Sequence, residues 1–280
     1  MFFRPGLIVL AAALAFASKA DAVELQPHRA VYSMGLVGTP AVGGPQAVRG
    51  VMLYEMNDTC DGWKIDTKVM LRTMYGGEEE VENVRNMTTW EAKDGLGFRY
   101  RMQETHGGGQ EAELIAGVAV LDEPGGPGVA EYSEPQDARV ELPRGSLFPT
   151  AHLVQLIQRS IAGPGSFAKV VFDGSTTEEP YDVSALIVPA PDLQLSQDVV
   201  SHMGLRSRWL AHFAYFPTAK RSETPEFELS VVYRDDGIVE DIRQDYGDHV
   251  VDARLRQIDF LPKASCDGAP PPAPPTQKPE

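Results

Sequence analysis

Only two cysteines, Cys60 and Cys266, occur in 280 residues, which excludes a disulfide-dense scaffold and a cysteine-rich metal centre. They form no C-x-x-C, so a thioredoxin-like redox motif is excluded too. Beyond residue 22 no apolar run approaches the roughly 20 residues that a membrane-spanning helix needs, so an integral membrane protein of that kind is not expected. Cations are scarce: 25 Lys plus Arg stand against 40 Asp plus Glu, a formal net charge of −15. No basic patch offsets this excess. Phosphate backbones and anionic lipid surfaces repel such a chain, and no nucleic-acid partner is expected. What clusters is acid, in "GGEEEVE" (76–82); on a strand, Glu78, Glu80 and Glu82 would share one face, as a solvated surface or an acidic docking surface.

The motifs of common enzyme classes are missing as well. There is no G-x-S-x-G, no Walker loop and no G-x-G-x-x-G. His152 lies in a helical pattern, but a helical zinc site needs a second histidine one turn on, and residue 156 is leucine. His28, His106, His202, His212 and His249 are scattered without ligand spacing, so no metal and no cofactor is expected. "SFAK" (166–169) matches S-x-x-K, a pairing that requires Ser166 and Lys169 one helical turn apart. It follows "GPG" and leads into "VVFDG", which reads as a strand with the two side chains on opposite faces. "DYGD" (245–248) sets two carboxylates around a Tyr-Gly turn. They suit a cation or glycoside cleavage, but a polar corner with Asp accepting backbone N–H bonds is the simpler account.

The ends of the chain are informative. Residues 1–22 combine Arg4, an apolar run from Leu7 to Ala17 and a small-residue ending at Ala20 and Ala22, the pattern of a cleavable secretory signal. Export to the periplasm is therefore expected, as is one domain over residues 23–267. In an oxidising compartment an even pair of cysteines favours one disulfide, Cys60 to Cys266, over two separate thiols. Closing a loop of about 207 residues is worth roughly 5 kcal/mol by chain entropy, as an upper figure. The ending "GAPPPAPPTQKPE" (268–280) is too rich in proline for helix or sheet and is expected to be a disordered tail.

Between these ends, period-two alternation dominates. In "WKIDTKVMLRT" the residues Trp63, Ile65, Thr67, Val69 and Leu71 fall on one face. "EFELSVVYRDDGIVEDIRQDYGD" repeats the pattern, with Asp236-Gly237 as the tight turn of a hairpin and Ile238 starting the return. Further strands are expected near 28–37, 47–56, 81–91, 97–105, 111–121, 137–142, 167–173, 181–188, 207–216 and 248–260. About a dozen strands curl rather than stay flat. The expected class is all-β and mainly antiparallel, a many-stranded β-spiral or broken barrel with one covering α-helix. That helix is "LFPTAHLVQLIQRSIAG" (147–163). Thr150 is placed to cap it, His152 to sit as a capping or partly buried structural residue, and Leu153, Leu156, Ile157 and Ile161 to form its apolar stripe.

The ordered blocks "LQPHRAVYSMGL", "RGVMLYEMNDTCDGW", "NVRNMTTWE", "LFPTAHLVQLI", "VVFDGS", "FAYFP", "TPEFELSVVYRDDGIVEDIRQDYGD" and the late Cys266 resemble the EipB family of periplasmic cell-envelope integrity proteins of alphaproteobacteria. The resemblance spans essentially the whole expected mature chain apart from the proline-rich tail. It implies a single antiparallel spiral, one disulfide between Cys60 and Cys266, and an envelope role without an established enzymatic activity. One departure is Asp252, where a small residue is expected. The leading reading is a non-catalytic periplasmic protein that supports envelope integrity by binding another envelope component, whether protein, lipoprotein or lipid. Two alternatives stand beside it: a carrier that shelters an acyl chain or lipoprotein in the concave sheet, and an enzyme acting on peptidoglycan or glycan.

Overall fold

The computed structural model describes residues 23–38, 42–76, 80–109, 112–193, 195–218 and 222–266. The expected leader (1–22) and proline-rich tail (268–280) lie outside the described residues. The elements run β1 (His28–Val37), β2 (Ala47–Asp58), β3 (Gly62–Met74), β4 (Val81–Ala92), β5 (Gly97–Thr105), β6 (Ala112–Leu121), β7 (Gly128–Glu134), β8 (Arg139–Leu142), β9 (Ser146–Leu147), α1 (Pro149–Ile161), β10 (Gly165–Val171), β11 (Tyr181–Pro189), α2 (Gln197–Met203), β12 (Arg208–Pro217), β13 (Phe227–Arg234), β14 (Val239–Asp245) and β15 (Val250–Phe260).

All fifteen strands belong to one sheet, ordered β8-β7-β6-β5-β4-β3-β2-β1-β15-β14-β13-β12-β11-β10-β9. The first strand pairs antiparallel with both the second and the last, so the sheet grows in two arms from β1. Every pairing is antiparallel except the short β9–β10 contact. The arms end at β8 and β9, which are joined by a three-residue turn yet are not neighbours in the sheet. The result is an antiparallel, nearly closed barrel with one seam.

Alternation decides which side chains face the concave interior. From β2 to β4 the inward rungs are Met52, Val69 and Arg85, then Tyr54, Thr67 and Met87, then Met56, Ile65 and Thr89. The β3 face read from sequence, Trp63 through Leu71, is thus the inner one. Outward residues carry cross-strand ion pairs, and these take up the two described glutamates of the acid run. Glu80 pairs with Arg49, and Glu82 with Arg72 at 2.8 Å. The expectation that Glu78, Glu80 and Glu82 share a strand face is corrected in part, because β4 begins only at Val81; Glu78 lies outside the described residues. Asp252 is accommodated by its cross-strand neighbour Gly35 and by Arg254 at 2.7 Å.

The core fills in three parts. One packs Leu156 and Ile157 of α1 against Val183, Ala185, Ile187, Ala211 and Tyr233. A second closes the seam. Phe148 stacks on Phe98 at 5.1 Å, Phe172 meets Tyr100 edge-on at 5.6 Å, and the Tyr132 hydroxyl donates to the Thr176 carbonyl at 2.7 Å. The third places Val199 and Met203 of α2 against Ala30, Tyr32, Ile238 and Leu255. Two helices therefore cover the sheet rather than one. Gly174 sits in the seam segment at φ +70°, and a Cβ there would fall 2.4 Å from the Tyr100 ring. Gly174→Ala should combine left-handed strain with overpacking and cost about 2–4 kcal/mol. Urea denaturation of the variant beside wild type measures this; a loss below 1 kcal/mol would mean the seam is loosely packed.

The covering helix departs from its sequence reading at both ends. Phe148, not Thr150, is the N-cap residue and offers no side-chain hydrogen bond, and Pro149 begins the first turn. The cap comes from another strand: Glu91 on β4 accepts from the Thr150 and Ala151 N–H groups, each at 2.6 Å. Thr150 is buried inside that first turn. Ile161 is 61% exposed, because the last turn buries Ser160 instead, whose hydroxyl meets the Tyr233 hydroxyl of β13 at 2.6 Å. It is corrected from the apolar stripe; Leu153, Leu156 and Ile157 remain in it.

Candidate functional site

Two side chains singled out in the sequence converge by fold. The Cys60 and Cys266 sulfurs lie at bonding distance, with Cα atoms 5.6 Å apart. Cys60 occupies the β2–β3 turn at φ +66°, a conformation uncommon outside glycine. Asp58 holds that turn by accepting from the Cys60 N–H at 2.9 Å and from Lys93 Nζ at 2.6 Å. His152 is buried, with ring centroids 5.3 Å from Phe167 and 6.0 Å from Phe213. Burial pushes its pKa down to about 4, with Lys169 adding to the effect. A neutral imidazole wedged between aromatic rings is a packing residue.

The groups considered for catalysis are not assembled. Ser166 lies on β10 paired with Leu186, and Lys169 is paired with Val183, so the two leave opposite faces of the strand. Asp245 accepts from the Gly247 N–H at 2.8 Å, and Asp248 bonds His249 at 2.6 Å. The "DYGD" stretch is therefore a turn held by its own carboxylates. Among the described residues, no three His, Cys, Asp or Glu side chains converge as metal ligands.

The concave face is different. At the end of the barrel away from α1 the interior opens into a cavity of about 450 Å³. Met34, Val48, Met52, Val69 and Leu71 line one wall, and Leu229, Ile242, Val251 and Ala253 the other. Its rim is polar and comes from three separate parts of the chain. Arg85 on β4 and Glu104 on β5 form an ion pair at 2.7 Å, with Glu104 turned inward at 14% exposure. Tyr246 and His249, from the turn between β14 and β15, stack at 4.9 Å with planes 15° apart. Burial raises the Tyr246 pKa, keeping the phenol neutral. One rung deeper, a second cavity of about 310 Å³ continues along β2–β4 to the first turn of α1, lined by Tyr54, Thr67, Met87, Pro149 and Leu153. Cavities of this size and lining hold small apolar molecules whose polar end is fixed at the mouth.

Sequence reading found the inner face of β3 and, of the rim, only the Tyr246 turn, taken as a polar corner. Alternation marks Arg85 and Glu104 as ordinary strand residues, and only winding the sheet brings them opposite Tyr246 and His249.

Comparison with known proteins gives consistent results. A family model described as EipB-like matches residues 19–262. The chain is 28% identical over 249 residues to the cell envelope integrity protein EipB of Brucella abortus (strain 2308), covering 87% of each. It superimposes on the crystal structure of a β-barrel-like protein of a domain of unknown function, DUF1849, from Brucella abortus, with a TM-score of 0.78. That match is 24% identical and covers 86% of this chain and 100% of the other, a likeness of fold.

Proposed function

We propose, from the premise that this chain belongs to the EipB-like family, that it supports cell-envelope integrity by holding another envelope component on its concave face, without chemical turnover. The observation that carries this reading is the cavity, apolar on both walls and rimmed by polar groups from β4, β5 and the β14–β15 turn. The envelope setting draws on the relative named for envelope integrity. A periplasmic location follows from the secretory pattern of residues 1–22. Among the described residues no helix is long and apolar enough to cross a membrane. The non-catalytic reading draws on the separation of Ser166 from Lys169 and on the local bonds that occupy Asp245 and Asp248.

Deleting the gene should sensitise cells to detergent and to cell-wall antibiotics, and the wild-type gene should restore resistance. A Leu71→Trp gene, which fills the cavity, should fail to restore it although its product accumulates. Full complementation by Leu71→Trp would remove the concave face from the function and leave the envelope role intact. The depth of the cavity favours a second reading within the first, in which the component is a small apolar ligand sheltered inside, as in a carrier of acyl chains.

A further inference from the structure

We infer that the concave cavity is a binding site for one single-chain zwitterionic lipid of the monoacyl phospholipid class, its chain between the two apolar walls and its head among Arg85, Glu104, Tyr246 and His249. This rests on the reading that the concave face binds an envelope component, and adds the class of ligand and the residues that recognise it.

The volume selects one chain. A methylene group fills about as much space as a liquid water molecule, roughly 30 Å³, so the cavity of about 450 Å³ takes on the order of 15 methylenes. The shape agrees, because the inward rungs Met52–Val69 and Tyr54–Thr67 are successive on β2 and β3 and carry the apolar path from the rim toward α1. Met34 and Met52 line it with unbranched, polarizable side chains that adjust to a flexible chain.

The rim selects the head. An anionic head would meet Arg85 but also Glu104, and a cationic head would meet Glu104 but also Arg85. One charge of each sign suits a head with one of each. The guanidinium bonds Glu104 through Nε and Nη2, leaving Nη1 for a phosphate oxygen. An ammonium has the Glu104 carboxylate and the stacked Tyr246–His249 pair to rest on.

The test is native mass spectrometry and calorimetric titration of the purified exported chain below the micelle concentration. The probes are lysophosphatidylethanolamine, a free fatty acid, an alkyl trimethylammonium and vesicles of diacyl phosphatidylethanolamine. One lysophospholipid per chain should bind, the two singly charged amphiphiles more weakly, and the vesicles not at all. Leu71→Trp should abolish uptake while keeping wild-type circular dichroism; if it misfolds, Leu229→Phe on the opposite wall replaces it. Arg85→Gln removes a charge-assisted bond and should weaken binding about tenfold. No uptake of the lysophospholipid, or uptake unchanged in the filled variants, overturns the site. Equal binding of fatty acid and lysophospholipid overturns the head assignment. Arg85→Gln that loses the lipid yet fully restores envelope resistance would overturn the lipid inference as the functional one, with the binding role of the concave face still standing.

Discussion

Replacing Cys60 and Cys266 together by serine should lower the melting temperature by about 10 °C or more, the largest effect expected of any surface substitution in this protein. The two residues are 206 apart in sequence, and the loop they close spans nearly the whole barrel. Chain entropy assigns such a loop roughly 5 kcal/mol, a large share of the roughly 5–15 kcal/mol by which domains are stable. The location strengthens the expectation. Cys60 sits at the turn between β2 and β3, and Cys266 ends a segment that leaves β15 and runs back along the start of the chain. Leu261 N–H donates to Pro27 at 2.9 Å, and Lys263 pairs with Glu24 at 2.9 Å. Few other contacts hold that segment, so the sulfur link fixes the end of β15, the strand that pairs with β1 where the two arms meet.

Differential scanning calorimetry with and without reductant, on wild type and on the double serine variant, separates the contributions. Reductant should shift the wild type by about the amount the mutation does and leave the variant unchanged. Hydrogen exchange should show faster exchange of the Leu261 amide once the link is open. A wild type that melts at the same temperature in reductant would mean that the seam and core, rather than the cross-link, hold the arms together.

The sequence disclosed what depends on local periodicity. β1 is bounded by residues 28 and 37 as alternation set them, and the Asp236–Gly237 turn joins β13 to β14 with Gly237 at φ +83°. What it concealed depends on distance. β9 has two residues and exists because Ser146 and Leu147 meet β10, far along the chain. α2 shows only Val199 and Met203 on its buried face, too short a stripe to stand out. β7 did carry a signal, with Ala130 and Tyr132 inward and Glu131 and Ser133 outward, but it is only seven residues long and follows the glycine-rich stretch Gly125-Gly126. The cysteine pairing was legible because two residues allow one pairing. The rim of the cavity and the cap of α1 were not, since each joins side chains from strands whose neighbours are set only when the sheet closes.

The stability of Glu91→Gln relative to wild type should fall by about 3 kcal/mol more at pH 4.5 than at pH 8. Glu91 is 2% exposed and faces no cation; burial pushes its pKa up to about 7 from 4.5, against the pull of the Thr150 and Ala151 N–H groups. The folded state thus holds the proton more tightly than the unfolded chain. Between pH 4.5 and 7 this group gains stability as pH falls and loses it as pH rises, the reverse of a salt-bridged carboxylate. His152, in the helix that Glu91 caps, runs the other way. Its folded pKa of about 4 lies below 6.5, so it loses stability as pH falls from 6.5 toward 4. Where the windows overlap, from 4.5 to 6.5, the two slopes oppose each other and the contribution of this corner to the wild type stays nearly flat. Removing the Glu91 titration should uncover the histidine slope, read as a urea midpoint that drops steadily with acid in the variant. Two charge-assisted bonds at a helix N-terminus argue for the opposite sign, since they favour the ionised carboxylate. A cost of Glu91→Gln that is greatest at pH 8 would show that the cap, not burial, governs this residue, and that α1 is held to the barrel by a charge.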